Sequence, residues 1–405
     1  MYPDLSYLFH DLLGTPYDNW LSVFKTFGFF LALSFLLSAY VYYIELRRKS
    51  KENKFFTPIV EKVIEGKPVS AALPEILSNA FIGFLLFGKG GLAVQNSAAF
   101  AKDPADVVLS LNFHWAYGLL GALLLGGLAF WDARRKALPE PIEKNVNFWP
   151  HHRISEFTVW AAIGGVAGAK LFDLFDNWDD FIQDPIGMLF SGGGLAFFGG
   201  LILGFVAVVW YQWRKKIPFL PSADAVAPAL VAGYGLGRVG CQLSGDGDWG
   251  IANTAPKPGW MSFLPDWLWS YQYPHTVLGD ATMHTGPAMK IDAMTAIRME
   301  GFSGRYPFML EQPVFPTPLY EIMMMAVIFA ILWALRRRFA QPGMIFFLYL
   351  SLIAVERFMI EFIRVNVQYK VFGMSLSQAQ LIAISLFVVG LGGMFYLKKK
   401  GSTAA

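Results

Sequence analysis

The sequence predicts an all-α, polytopic integral membrane protein of about nine transmembrane helices, with the N-terminus outside and the C-terminus in the cytoplasm. Three observations predict it. The 405 residues are 55% hydrophobic and only 16% charged, where a soluble domain carries about 25% charged residues. The mean hydropathy is +0.42. Mostly apolar runs of about 20 residues, the length of a span, recur along the chain.

In order, the runs fall near 22–44, 75–93, 112–131, 157–175, 195–213, 223–243, 317–335, 344–363 and 379–397. Lipid offers no partner for backbone polar groups, so each run is expected to be a helix. The first follows a polar stretch with Asp4, Asp11 and Asp18 and precedes no small-residue cleavage site. It therefore reads as a retained first span. The sixth is rich in glycine and is the candidate for a partly unwound or re-entrant segment.

Basic clusters set the orientation. Arg47-Arg48-Lys49, Arg134-Arg135-Lys136, Arg214-Lys215-Lys216, Arg336-Arg337-Arg338 and Lys398-Lys399-Lys400 follow the odd-numbered runs. All five share one side, which the positive-inside rule makes cytoplasmic. The other side carries Asp173, Asp176, Asp179, Asp180 and Asp184. Net charge is only +3, and no nucleic-acid partner is expected. Cys241 is the single cysteine, which excludes an intramolecular disulfide.

The chain divides into an extracytoplasmic arm (1–21), a first helix and cytoplasmic loop (22–74), a helical hairpin (75–136), and a segment with a second hairpin and a glycine-rich helix (137–243). An extracytoplasmic loop or head (244–316) and C-terminal helices (317–405) complete it. The hairpins look duplicated. Residues 75–136 match 156–217 at a constant offset of 81 without a gap. Glu75 pairs with Glu156, Ile82-Gly83 with Ile163-Gly164, Lys89 with Lys170, Asp103-Pro104 with Asp184-Pro185, Ser110 with Ser191 and Gly118 with Gly199. Both copies run in the same direction, and a parallel repeat is not the common transporter pattern.

Ionisable residues inside a bilayer are costly and point to function. Arg238 lies in the glycine-rich stretch 233–250, Tyr320 and Glu321 in 315–321. Arg357, Glu361 and Arg364 fall at i, i+4 and i+7, on one helix face. A structural Arg357–Glu361 pair accounts for two of these groups but leaves a surplus of arginine. Guanidinium groups bind phosphate through paired hydrogen bonds, and the phosphate at a membrane face is a phospholipid headgroup.

Gly235, Gly237 and Gly240 fit a dinucleotide fingerprint, but no strand precedes them. Close helix packing, or approach of unwound backbone to a ligand, suits them better. His151-His152 lacks a ligand cluster, Lys89 and Lys170 are placed to snorkel to the interface, and Cys241 suits tight packing. The long loop 244–314, with Trp260, Trp267, Trp269, Tyr271 and Tyr273, is expected as a lid or partner surface.

Together these motifs resemble those of the prolipoprotein diacylglyceryl transferases. Gly237-Arg-Val-Gly240 through Gly250, with Asp224 upstream, resembles the family signature. Phe315-Pro-Thr-Pro-Leu-Tyr-Glu321 resembles its His-Pro-Thr-x-x-Tyr-Glu segment, and Arg357-Phe-Met-Ile-Glu361-Phe-Ile-Arg364 its Arg-x-x-x-Glu-x-x-Arg helix. Gly199-Gly200-Leu-Ile resembles the end of its His-Gly-Gly-Leu-Ile segment. The resemblance implies a multi-pass enzyme of the bacterial inner membrane, acting on phosphatidylglycerol and prolipoprotein signal peptides among membrane lipid. It would move a diacylglyceryl group to the lipobox cysteine and need neither cofactor nor metal. By the same resemblance Arg238, Arg357, Asp246 and Glu361 would be catalytic. Arg238, Cys241, Gly250, Tyr320, Glu321, Arg364, Gly199 and Gly200 would bind substrate.

The chain departs from the family pattern at several points. Phe198 replaces a histidine, Cys241 an asparagine and Ile353 a tyrosine, Asp246 stands for a glutamate, and the first hairpin copy is an insertion. His114, one helical turn before Tyr117, is a candidate to replace the lost histidine. The thiol's proton acceptor stays open between Asp246 and Glu361, with a nearby cation lowering the thiol pKa as a third route. The alternative activity is that of a non-catalytic phospholipid-binding or transport relative.

Overall fold

The computed structural model describes residues 1–52, 55–102, 107–108, 110, 112–190, 196–277, 296–339, 341–366, 368–371 and 373–402. The chain is a mostly helical, polytopic membrane protein. Seven helices among the described residues are long and apolar enough to cross a bilayer: Thr26–Lys51, Val69–Gln95, Trp115–Lys136, Pro150–Asp176, Phe219–Ser244, Thr317–Leu335 and Gln378–Lys400. The other two expected spans coincide with Phe197–Arg214, of 18 residues, and Met344–Ile360, of 17. The second falls short because its last turn tightens into a 3₁₀ turn at Glu361–Ile363.

The chain forms two compact units, Met1–Phe55 with Pro218–Ala405, and Phe56–Ile217. The first unit contains α1 (Leu5–Leu13) and α2 (Thr26–Lys51). The second contains α3 (Leu73–Gln95), α4 (Ser97–Lys102), α5 (Trp115–Lys136), α6 (Ile154–Asp176), α7 (Trp178–Gln183), α8 (Pro185–Phe190) and α9 (Phe197–Arg214). The first unit resumes with α10 (Phe219–Ser244), α11 (Thr317–Leu335), α12 (Met344–Ile360) and α13 (Gln378–Ser402).

In the second unit α3 packs on α5 and α6 on α9, which makes two hairpins. Their register corrects the gap-free alignment. Gly83 of α3 meets Gly121 and Leu125 of α5, whereas Gly164 of α6 meets Leu203 and Ala207 of α9. The His114 amide donates to Gly88 at 3.3 Å and the Ala196 amide to Ala169 at 3.0 Å. The first helices correspond at an offset of 81, but the second ones at 82, because the second connection is one residue longer. Tyr117 therefore corresponds to Gly199 and His114 to Ala196. The Asp103-Pro104 and Ser191 positions of the repeat, and the Phe198 side chain, lie outside the described residues. Two antiparallel strands, β1 (Ile59–Glu65) and β2 (Ile142–Phe148), pair ahead of each hairpin. Glu61 of β1 binds the buried Arg153 at 2.5 Å and Lys215 at 3.0 Å.

In the first unit α10 is the central helix, packed on α2, α11 and α12. It corrects the expectation of a broken sixth span, for it runs unbroken through Pro228 and its glycines. Gly240 shows why glycine is there: an added Cβ would stand 3.0 Å from Phe30 of α2. Ala227, Val231, Met325, Ile328, Leu332 and Ile345 form the core between α10, α11 and α12. The basic ends of α2, α11 and α13 gather at one end of this unit. There Arg48 reaches the Arg336 carbonyl, and Gly343 packs on Leu397. At the other end a small head forms around Trp249, Tyr273, Leu310 and Val314.

Candidate active site

At the end of the first unit away from the basic stops, α10, α11 and α12 bring their charges together. Glu321, on the second turn of α11, is 0% exposed and is the hub. It accepts from Arg364 Nη1 at 3.4 Å and from the Tyr234 hydroxyl at 3.0 Å, and it forms ion pairs with Arg238, whose Nε stands 2.9 Å away, and with Arg357, whose Nη1 stands 3.6 Å away. A carboxylate this buried is tolerable only when charged donors surround it.

Each arginine has a second partner. Arg238 pairs with Asp248, and its Nη2 meets the Tyr234 hydroxyl at 3.0 Å while its guanidinium lies over the Tyr234 ring at 5.0 Å. Arg364 Nη2 donates to Asp248 Oδ1 at 3.0 Å. Arg357 Nη2 pairs with Glu361 Oε2 at 2.9 Å, and Asn366 donates to the other oxygen of Glu361. The three guanidiniums thus face three carboxylates. This corrects the expected cationic surplus: Asp248 supplies the missing acid. Arg364 is also not on the helix face assigned to it, because the 3₁₀ turn at Glu361–Ile363 leaves it extended. It reaches Glu321 and Asp248 from a strand-like segment instead.

Gly250 holds that segment in place. Its amide donates to the Phe315 carbonyl at 2.9 Å, and it pairs with Arg364 in an antiparallel bridge. An added Cβ would run into the Ile363 carbonyl. Thr317 Oγ1 donates to the Asp248 carbonyl at 2.7 Å, fixing the 246–250 loop on the start of α11.

The two aspartates of Gly245-Asp-Gly-Asp248 differ in surroundings. Burial raises the Asp248 carboxyl, but Arg238 and Arg364 outweigh it and hold Asp248 below the usual carboxylate range. Burial first, then the charge of Asp248, pushes Asp246 above that range. Asp246 faces the Cys241 thiol, and Cys241 Sγ lies 3.8 Å from Arg238 Nη1.

The remaining expected residues separate. Tyr320 turns to the head loop, its hydroxyl donating to the Leu268 carbonyl at 2.7 Å. Gly199 and Gly200 belong to the second unit, where Gly199 packs on Gly168 and Phe172 and Gly200 on Gly165. His114, in the same unit, caps α5 by accepting from the Tyr117 amide at 3.4 Å. Sequence reasoning missed Asp248 and Tyr234. Tyr234 had a signal, since it stands four residues, one helical turn, before Arg238. It also missed Glu356, a buried carboxyl beside Arg357 whose Oε1 has no hydrogen-bond partner among the described residues.

Among the described residues, Cys241, Asp246 and Asp248 form the one group of metal-ligand type, with donor atoms within 4.8 Å of one another. Arg238 and Arg364 already occupy Asp248, and Arg238 also faces the thiol. A guanidinium holds the position a cation would take, and the donor set does not suit a metal.

The sequence profile described as "Prolipoprotein diacylglyceryl transferase" matches residues 106–396. This chain belongs to that family. The match spans the whole arginine cluster and Gly250. A phosphatidylglycerol–prolipoprotein diacylglyceryl transferase of Xylella fastidiosa (strain M12) is 30% identical over 307 residues, covering 72% of this chain and 91% of that protein. One of the same name from Pseudomonas aeruginosa (strain LESB58) is 25% identical over 306 residues, covering 74% and 94%. Two diacylglyceryl transferase relatives thus align over nearly their full lengths.

Proposed function

We propose that this protein transfers the diacylglyceryl group of phosphatidylglycerol to the lipobox cysteine of prolipoproteins at the outer face of the bacterial inner membrane. The carrying observation is the convergence of Arg238, Arg357 and Arg364 on buried Glu321, opposite the end that holds the basic stops. On the positive-inside rule those stops are cytoplasmic, so the arginines face the extracytoplasmic headgroups. The relatives' names supply the two substrates, and the N-terminus outside follows from the same charge asymmetry.

The reaction forms a carbon–sulfur bond and breaks a carbon–oxygen bond. The lipobox thiolate attacks the glycerol carbon, and glycerol phosphate departs with the electron pair. Charge grows on the phosphate oxygen as the bond lengthens, and fixed donors act best there. Arg357 is the arginine for that task, with a side chain 28% exposed against 14% for Arg238 and 12% for Arg364. Arg238 and Arg364, already committed to Glu321 and Asp248, orient the phosphate. Asp246 takes the thiol proton in preference to Glu361, whose two oxygens are held by Arg357 and Asn366. Among the described residues Asp246 forms no ion pair with an arginine, and its raised pKa makes it the stronger base.

The test is purified protein in phosphatidylglycerol bilayers with a lipobox peptide. The expected product is the peptide with the mass of one diacylglyceryl group added. A folded protein that binds phosphatidylglycerol and yields no adduct would make it a non-catalytic lipid-binding relative.

A further inference from the structure

Helix α1 turns its apolar side away from the protein. Leu5, Leu8, Phe9, Leu12 and Leu13 recur at the spacing of one helix face. None of them is buried, and Leu12 and Leu13 are each 68% exposed. The opposite side, with Ser6, Tyr7 and His10, faces the head. The buried Tyr7 hydroxyl accepts from the Tyr306 amide at 3.1 Å, and the Tyr7 ring stands edge-on to Tyr306 with centroids 5.6 Å apart. A helix that only packs on protein has the reverse arrangement.

The start of α1 is fixed at the mouth of a spanning helix. The Leu5 amide donates to the Phe24 carbonyl at 3.0 Å, the Thr26 amide to Pro3 at 3.1 Å, and Lys25 pairs with Asp4 at 3.4 Å. Thr26 opens α2, whose first turns expose Phe27, Phe29 and Leu31 to lipid. The apolar face of α1 therefore begins where the lipid-facing surface of α2 begins. Between the two helices Trp20 is 75% exposed and stands edge-on to Phe24, with centroids 6.3 Å apart. Tryptophan favours the membrane–water boundary.

We propose that α1 is an interfacial anchor. It lies in the headgroup region of the leaflet at the arginine end of the first unit, with its leucine face in lipid. Through Tyr7 it ties the head to that surface. The lipid is held by apolar contact: the exposed charges of the arm, Asp11 and Asp18, are acidic, so anionic headgroups add no attraction.

Nitroxide labels at Leu12→Cys, Leu13→Cys and Asp11→Cys test this in the full-length protein in lipid nanodiscs. The parent, whose Cys241 is buried, serves as the labelling control. Labels at positions 12 and 13 are expected to be relaxed by oxygen and shielded from an aqueous nickel chelate, and the label at 11 the reverse. The contrast is expected to persist from low to molar salt. Equal chelate access at 11, 12 and 13 would overturn the proposal by placing the helix in water. Protection of 12 and 13 from both reagents would also overturn it, since a protein surface then covers them.

Discussion

Both ends of the first unit bury a glutamate among arginines, and only one is a candidate for chemistry. At the basic-stop end, Glu45 is 1% exposed and binds Arg48 at 2.7 Å and Arg336 at 2.9 Å. Beside it the buried Asp224 accepts from the Gly343 amide at 2.8 Å, the Phe346 amide at 2.9 Å and Lys49 at 3.3 Å. Asp224 caps the start of α12, so its charge meets backbone donors that have no other partner. At the other end Glu321 is as deeply buried, but the cluster around it also holds Arg357, the least buried of its arginines, and two carboxyls, Asp246 and Glu356, that form no arginine ion pair among the described residues. A buried ion pair by itself identifies neither stability nor catalysis. Spare donor and acceptor capacity next to such a pair is what separates the two ends.

Substitutions at the two ends should fail differently. Asp224→Ala leaves Lys49 buried without its partner and two α12 amides uncapped. The expected loss is about 3–5 kcal/mol of stability, read as denaturant unfolding in mixed micelles, with transfer per folded molecule unchanged. A stable variant with lost transfer would erase the contrast. Arg357→Ala should lose transfer in the folded molecules themselves: kcat per folded molecule falls about 10²–10³-fold, with stability lost as well because buried Glu361 keeps only Asn366 as its partner among the described residues. If Arg357→Ala unfolds the protein and Arg357→Lys does not rescue transfer, the site end is structural too.

The spans and the arginines are legible in the sequence, because apolar runs and buried charges each carry a local signature. What is not legible depends on which groups meet. Asp246 and Asp248 flank one glycine, and only the path of the loop past Gly250 hands Asp248 to Arg238 and Arg364. Helical spacing puts Arg364 on the face of Arg357, but the 3₁₀ turn after Ile360 changes its direction and brings it to Glu321 and Asp248. The one-residue slip of the repeat is hidden in the sequence, since Gly118 falls on Gly199 at an offset of 81 and on Gly200 at 82. Packing distinguishes the offsets, because only one puts Leu203 against Gly164 as Gly121 lies against Gly83.

Acidity sharpens the difference between the two aspartates. Asp248 has a lowered pKa in the folded protein. It contributes stability above its unfolded pKa of about 3.9, and that contribution is lost as pH falls through the lower folded value. Asp246 has a raised pKa. It contributes stability below about 3.9, lost as pH rises through its folded value. As a base it must be ionised, so transfer should fall with decreasing pH through that raised value while the Asp248 pairs are still intact. Asp246→Asn is expected to lower kcat about 10²-fold and to abolish this acid limb. A pH–rate profile of Asp246→Asn that keeps the limb would assign the proton to another group.

The smallest expected effect concerns Tyr320, which the sequence groups with Glu321 and the geometry places with the head. The two residues are neighbours on α11 but point apart. Glu321 faces the arginines, whereas the Tyr320 hydroxyl holds the Leu268 carbonyl at 2.7 Å in the loop after Pro265. Tyr320→Phe removes that hydrogen bond, with the longer 3.5 Å contact to the Trp269 carbonyl, and keeps the ring. The expected cost is about 0.5–1.5 kcal/mol of stability, with kcat unchanged and any change confined to KM through a looser head loop. Thermal unfolding and steady-state transfer on the same preparation separate these quantities. A tenfold drop in kcat at unchanged stability would move Tyr320 from the head to the reacting phosphate, and the boundary between the structural and chemical parts of this end would then pass outside Leu268.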